Sequence, residues 1–138
     1  MWIVKIGGSW INNPNLSELI THLNRLSKKV NIIIVNGGGC FTDSVRLVYE
    51  NKRMSEKTGH FIALKATEMF SHILKEINNN ISSINEIESF KISDKGLKIW
   101  MPSLVLKNDP TFIKTWESTS DSVAAWLHKK LNSKGLLF

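Results

Sequence analysis

Three stretches of this chain hold residue types that can do chemistry: "IVKIGGS" (Ile3–Ser9), "VNGGGCFTDSVR" (Val35–Arg46) and "STSDSVAAW" (Ser118–Trp126). In the second, an apolar run meets Gly37, Gly38 and Gly39. Glycine lets bare N–H groups approach an anion with no side chain in the way. A helix beginning near Phe41 adds the positive end of its dipole. A tight turn needs one glycine, so three point to a phosphate or carboxylate against the backbone; a ligand-free strand-to-helix turn is the alternative. On the anion reading, Gly38→Val should abolish ligand binding with little loss of fold.

Lys5 stands inside an apolar strand, where an ammonium is costly unless it has a partner. Near the strand's carboxyl end it can meet an anion beside Gly7, Gly8 and Ser9, or snorkel to solvent. Thr119, Ser120 and Asp121 precede an apolar helical run. They read either as an N-cap or as a site in which Asp121 holds the ammonium groups of a phosphoryl-transfer centre. Other chemistries find no support. No GxxxxGK(S/T) occurs, and Gly37-x-Gly39-x-x-Thr42 lacks the third glycine and the later acid of the dinucleotide fingerprint. His22, His60, His72 and His128 are scattered without metal-ligand spacing, so no metal site is expected.

The elements that position these residues alternate. "WIVKI" (Trp2–Ile6) and "VNIIIV" (Val30–Val35) read as strands, the latter buried on both faces. Leu16, Leu19, Ile20, Leu23 and Leu26 recur at helical spacing between them. A helix opening at cap-like Thr42 and Asp43 follows. A longer one runs from about Glu56 to Ile77, with Phe61, Leu64, Ala66, Phe70, Ile73 and Leu74 as its stripe. "NNNISSINEIESFKISDKG" (Asn78–Gly96) is polar and irregular, with room for one short helix. "LKIWMPS" (Leu97–Ser103) is a third strand, the helix after Asp121 is closed by Gly135, and "LLF" (Leu136–Phe138) starts a fourth strand. Strand–helix alternation predicts an α/β fold with a mainly parallel sheet, and no linker divides the 138 residues, so one domain is expected. Stopping inside an apparent strand leaves an open edge. The sheet is expected to be incomplete on its C-terminal side, and the isolated chain to self-associate there.

Hydrophobic residues are 42% and charged ones 22%, an ordinary globular balance. A net charge of +6 raises nucleic acid, membrane and phosphorylated small molecules as partners. With lysines dispersed and no aromatic interleaving, nucleic acid is excluded. With no apolar run near the length of a bilayer span, so is a membrane. A lone cysteine, Cys40, and the absence of a signal-peptide layout place the protein in the cytoplasm.

Together, "IVKIGGS", "VNGGGCFTDSVR" and "TSDSVAAWL" resemble the amino acid kinase family, the aspartate, glutamate and uridylate kinases, over the whole chain. "GHFIALKATEM" (Gly59–Met69) and "WMPS" (Trp100–Ser103) look most like a branch linked to methanofuran and tetrahydromethanopterin-type cofactor synthesis. One member of that branch phosphorylates an aminomethylfuran phosphate. The resemblance implies a three-layer α/β/α sandwich, with ATP, its Mg2+ and a small anionic acceptor along the carboxyl edge of the sheet. It implies transfer of the γ-phosphoryl group to a carboxylate, carbamate or phosphate, by a homo-oligomer. Lys5 would neutralise the transferred group, Asp121 would orient lysines, and Gly7, Gly8 and Gly37–Gly39 would donate N–H groups. Ser9, Thr119 and Ser120 join that binding set, and Arg46 and His60 are candidate acceptor contacts; a surface charge and a helix-packing histidine are the alternatives. Cys40, where relatives commonly have proline, reads as a packing residue. Relatives continue into a segment that holds adenine and a second catalytic lysine, so this chain is expected to be the acceptor-binding N-terminal portion and to bind nucleotide poorly alone. A non-catalytic anion-binding module, or an inactive kinase remnant that regulates a partner, is the reading from another class.

Overall fold

A computed structural model describes residues 1–90 and 95–138. Five strands form one sheet: β1 (Trp2–Ile6), β2 (Asn31–Asn36), β3 (Ser82–Ile84), β4 (Gly96–Trp100) and β5 (Gly135–Leu137). Their order is β3-β4-β2-β1-β5, and every neighbouring pair is parallel. The helices are α1 (Leu16–Ser27), α2 (Cys40–Lys52), α3 (Glu56–Ile77), α4 (Ser103–Asn108) and α5 (Ser120–Leu131).

β2 is a continuous β-branched run, and all six of its residues are buried, as a strand covered on both faces requires. Its side chains alternate between two cores. Ile33 and Val35 join Ile3, Leu64, Trp100, Phe112, Val123 and Leu127 under α4 and α5. Ile32 and Ile34 join Ile6, Ile20, Leu23, Phe70, Leu74 and Ile99 under α1 and α3. Each fully buried aliphatic side chain contributes about 1.5–3 kcal/mol, so the sheet is held between two helical layers. The three-layer α/β/α arrangement is the one expected.

Several boundaries differ from the sequence reading. α2 starts at Cys40 with Gly39 as N-cap, and Thr42 donates back to the Gly39 carbonyl at 2.9 Å instead of capping. α5 ends at Leu131 on a left-handed Asn132 (φ 45°), a conformation asparagine tolerates well; Gly135 opens β5. The stretch read as irregular contains the edge strand β3 and a 3-10 turn at Ile87–Ser89. β3 has three residues and, among the described residues, pairs with β4 alone; it is too short for a periodic signal. Lys91 to Asp94 of that stretch lie outside the described residues. The third strand stops at Trp100, and α4 follows, which the sequence reading did not anticipate. Leu26, assigned to the α1 stripe, is more than half exposed.

β1 pairs with β2 so that Ile6 lies opposite Asn36. Both strands therefore end at one level, and their glycine loops leave the sheet side by side. β2 and β5 flank β1 on opposite sides, so the strand order reverses here, where open α/β sheets bind ligands.

Candidate functional site

A cleft of about 320 Å³ lies over the carboxyl ends of β1 and β2. The two strand loops contribute Gly8, Ser9, Asn36 and Gly37–Gly39; α2 contributes Thr42, Asp43 and Arg46. His60, Ala63, Leu64 and Thr67, one face of α3 by helical spacing, form another wall. Trp116, Ser118, Thr119, Ser120 and Val123 close the remaining side.

Of the residues singled out in the sequence, Gly8, Ser9, Gly37, Gly38, Gly39, Arg46, His60, Thr119 and Ser120 line this cleft. Lys5, Gly7 and Asp121 stand beside it. Alternation along β1 puts Lys5 on the same side as Ile3, the side covered by α5. There its Nζ lies 2.7 Å from Asp121 Oδ1, with the lysine side chain mostly covered and the aspartate half exposed. A Cβ on Gly7 would lie 3.9 Å from Lys5 Nζ and 3.5 Å from Ser9 Oγ, which ties the ammonium to the cleft rim. Thr119 is the N-cap residue of α5, yet its side chain makes no capping bond.

The glycines have structural reasons of their own. A Cβ on Gly8 would fall 2.0 Å from Gly39 N, and one on Gly37 2.6 Å from Gly8 N. Gly39 has φ +51°, and a Cβ there would fall 2.5 Å from the Gly8 carbonyl oxygen. The two loops thus touch backbone to backbone, which only glycine permits. The Gly37 N–H already donates to the Ile6 carbonyl at 2.8 Å. At Gly38 a Cβ would overlap the Thr42 side chain at 2.0 Å. Gly38→Val therefore disturbs α2 as well as any ligand, and the expectation of little loss of fold is corrected.

The electrostatics separate the two polar contacts on the helices. Arg46 is exposed and lies 3.4 Å from Asp43 Oδ1. His60 is buried, its ring 5.4 Å from that of Phe112. Burial first, and the Lys114 charge second, push its imidazole below the usual pKa of 6.5, so it is neutral near pH 7. Cys40 is free and exposed, not packed. Among the described residues, no three His, Cys, Asp or Glu side chains are grouped to hold a metal ion.

Sequence reasoning missed Asn36, Thr67, Trp116 and Ser118. Asn36 ends an otherwise apolar buried strand, and Thr67 lies seven residues from His60, so both had a readable signal. Trp116 had none. It sits in the irregular segment before α5 and stacks on Tyr49 of α2, centroids 4.2 Å apart and planes within 4°.

Residues 1–138 match the amino acid kinase family. The chain belongs to that family. Among its relatives, it is 29% identical over 141 aligned positions to [5-(aminomethyl)furan-3-yl]methyl phosphate kinase of Methanocaldococcus jannaschii. That alignment covers 99% of this chain and 64% of the relative. The uridylate kinase of Archaeoglobus fulgidus shares the fold, with a TM-score of 0.71 at 16% identity, over 98% of this chain and 60% of that one. The chain thus spans just under two thirds of the length of each. The resemblance seen in the glycine loops and in "TSDSVAAWL" is borne out at the level of the family and of its α/β fold.

Proposed function

We propose that this chain supplies the acceptor-binding part, and the first lysine, of an ATP-dependent small-molecule kinase. Its reaction moves the γ-phosphoryl group of ATP to a phosphate or carboxylate on a small anion. The name of the Methanocaldococcus jannaschii relative favours a phosphate monoester, of which an aminomethylfuran phosphate is one. The observation that carries the reading is the Lys5–Asp121 pair at 2.7 Å, beside two glycine loops that touch. The aspartate fixes the ammonium beside the loop at Gly7, on the rim of the cleft.

Phosphoryl transfer asks the protein mainly for positioning and charge stabilisation. Mg2+ enters with the nucleotide as part of the substrate. Lys5 carries the compact positive charge needed where negative charge is shared between bridging oxygens. Asp121 acts through Lys5 as a positioning residue. The Gly8 and Gly39 backbone, together with Ser9, Thr119 and Ser120, line the place where the acceptor anion rests. On this reading the enzyme works in the cytoplasm as a homo-oligomer; among the described residues, no helix is long and apolar enough to cross a membrane.

In the full-length protein, Lys5→Ala should lower kcat about a hundredfold, roughly 3 kcal/mol of transition-state stabilisation, with much less change in acceptor KM. Lys5→Arg should not restore it fully, because a planar fork does not occupy the place of a compact ammonium. Asp121→Asn should give a smaller loss of the same kind. Acceptor-dependent ADP release checks all three. Turnover in Lys5→Ala within about twofold of wild type would remove the catalytic assignment. Anion binding with no ADP release from any phosphate or carboxylate would favour the non-catalytic module.

A further inference from the structure

The rim of the cleft is a closed circuit. The Gly8 and Gly39 loops touch, so that a Cβ on Gly8 would meet Gly39 N at 2.0 Å. From Gly39 the rim follows α2 as far as Tyr49, whose ring stacks on Trp116 with centroids 4.2 Å apart. The chain then runs from Trp116 to Asp121, and the 2.7 Å ion pair of Asp121 with Lys5 leads back to β1. One junction of this circuit is backbone on backbone, one is ionic and one is aromatic. The first two belong to the anion site itself. The aromatic one has no task there.

Yet the aromatic junction is accommodated by its surroundings. Tyr49 and Trp116 both lie over Gly59 of α3: a Cβ there would fall 2.5 Å from Tyr49 Cδ2 and 3.3 Å from Trp116 Cε3. Glycine is a poor helix former, and at this position it makes room for the two rings. α2 needs such a contact, because none of its residues is buried. Its ends are chain connections, at Gly39 and at the left-handed Arg53 (φ 48°). Between them, Tyr49 ties the helix to the segment before α5. The cleft lining adds a second reason. Asn36 Oδ1 and His60 Nε2 are buried in it with no hydrogen-bond partner among the described residues. Burying such atoms unpaired is unfavourable in either tautomer of His60, so other contacts must hold the cleft this narrow.

We propose that Tyr49 and Trp116 are positioning residues: their stack clasps α2 to the segment before α5 and so sets the width of the cleft in which the acceptor anion rests. The clasp keeps the wall of Thr42, Asp43 and Arg46 at a fixed distance from the wall of Ser118, Thr119 and Ser120. Trp116 lines the cleft and Tyr49 does not, so Tyr49 acts on a ligand through the clasp alone. The assignment deepens the proposed function and rests on its anion site at the glycine loops.

Titration of the chain with inorganic phosphate, read from the amide NMR signals of Gly37 to Thr42, tests it. Tyr49→Ala and Trp116→Ala should each weaken phosphate binding about threefold to tenfold, the strength of one aromatic pair. Tyr49→Phe keeps the ring and should bind within about twofold of wild type. The double Ala variant should bind within about twofold of the weaker single one, because the two rings act as one contact. If Trp116→Ala does not fold, Tyr49→Ala and Tyr49→Phe carry the test. Loss of binding in only one of the two Ala variants would overturn the clasp; in Trp116→Ala, it would mark a direct ligand contact. Unchanged binding in both, additive losses, or no rescue by Tyr49→Phe would also overturn it, while leaving the anion site standing. A wild-type chain that binds no phosphate at Gly37 to Thr42 would overturn the anion site, and the clasp with it.

Discussion

The connections from β1 to α1 and from β2 to α2 begin alike and end differently. Each strand runs into glycines at the carboxyl edge of the sheet. After β1 the chain makes a 3-10 turn at Gly8–Asn12, passes Pro14, and lays α1 on the sheet with Leu16, Ile20, Leu23 and Ser27 buried. After β2 the helix starts at once from Gly39, and α2 buries none of its residues. It borders the cleft through Thr42, Asp43 and Arg46, and Leu47 and Val48 face solvent. A detour lets the first helix return to the core. The direct exit holds the second at the rim, where its start faces the ligand space. Packing is concentrated in one connection and the cleft wall in the other.

The loops meet at Gly8 and Gly39, and the contrast is easiest to break there. Gly8→Ala should destabilise the protein by about 3 kcal/mol or more, because a methyl group would meet the Gly39 backbone at 2.0 Å and backbone cannot swing aside as a side chain can. Gly7→Ala, one residue earlier, meets nothing closer than 3.5 Å and should stay within about 0.5 kcal/mol. Denaturant midpoints compare the two; equal losses would mean that the loops do not touch as described. The helices provide the next contrast. Ile20→Ala on α1 should cost about 2–5 kcal/mol, and Leu47→Ala on α2 about 0.5 kcal/mol or less. A loss above about 2 kcal/mol at Leu47 would show that α2 is packed in solution.

The smallest effect sharpens the comparison from the side of α3. His60 has a lowered pKa, so the unfolded chain takes up its proton at a pH where the folded chain does not. Its contribution to stability is present above pH 6.5 and is lost as pH falls below that value. His60→Phe should therefore lose less stability than wild type between about pH 7 and 5, read from urea midpoints. Identical pH profiles for the two proteins would show that His60 is not buried neutral.

Local pattern was enough for much of this molecule. The β-branched runs of β1 and β2, the helical spacing of Leu16, Ile20 and Leu23, and the extent of α3 are written in residues a few positions apart. There, hydrogen bonding and amphipathicity are local. The glycine loops and the Thr119–Asp121 turn were legible for the same reason, and their order along the chain pointed to the family. β3 was not legible, since three residues carry too little periodicity and their pairing with β4 is non-local.

What only the tertiary structure decided is contact between distant segments. Nothing in the local pattern tells that three glycines serve first to let Gly37 and Gly39 meet Gly8. Nor did it show that Lys5 reaches Asp121 across 116 positions, or that Tyr49 and Trp116 stack beside the cleft. Burial of Asn36 and His60 with an unpaired atom each is also invisible in a chain, because a missing partner is a property of the whole surroundings. A residue's type and spacing determine which interactions it can make. Which ones it does make depends on the backbones and side chains that folding brings within a few ångströms.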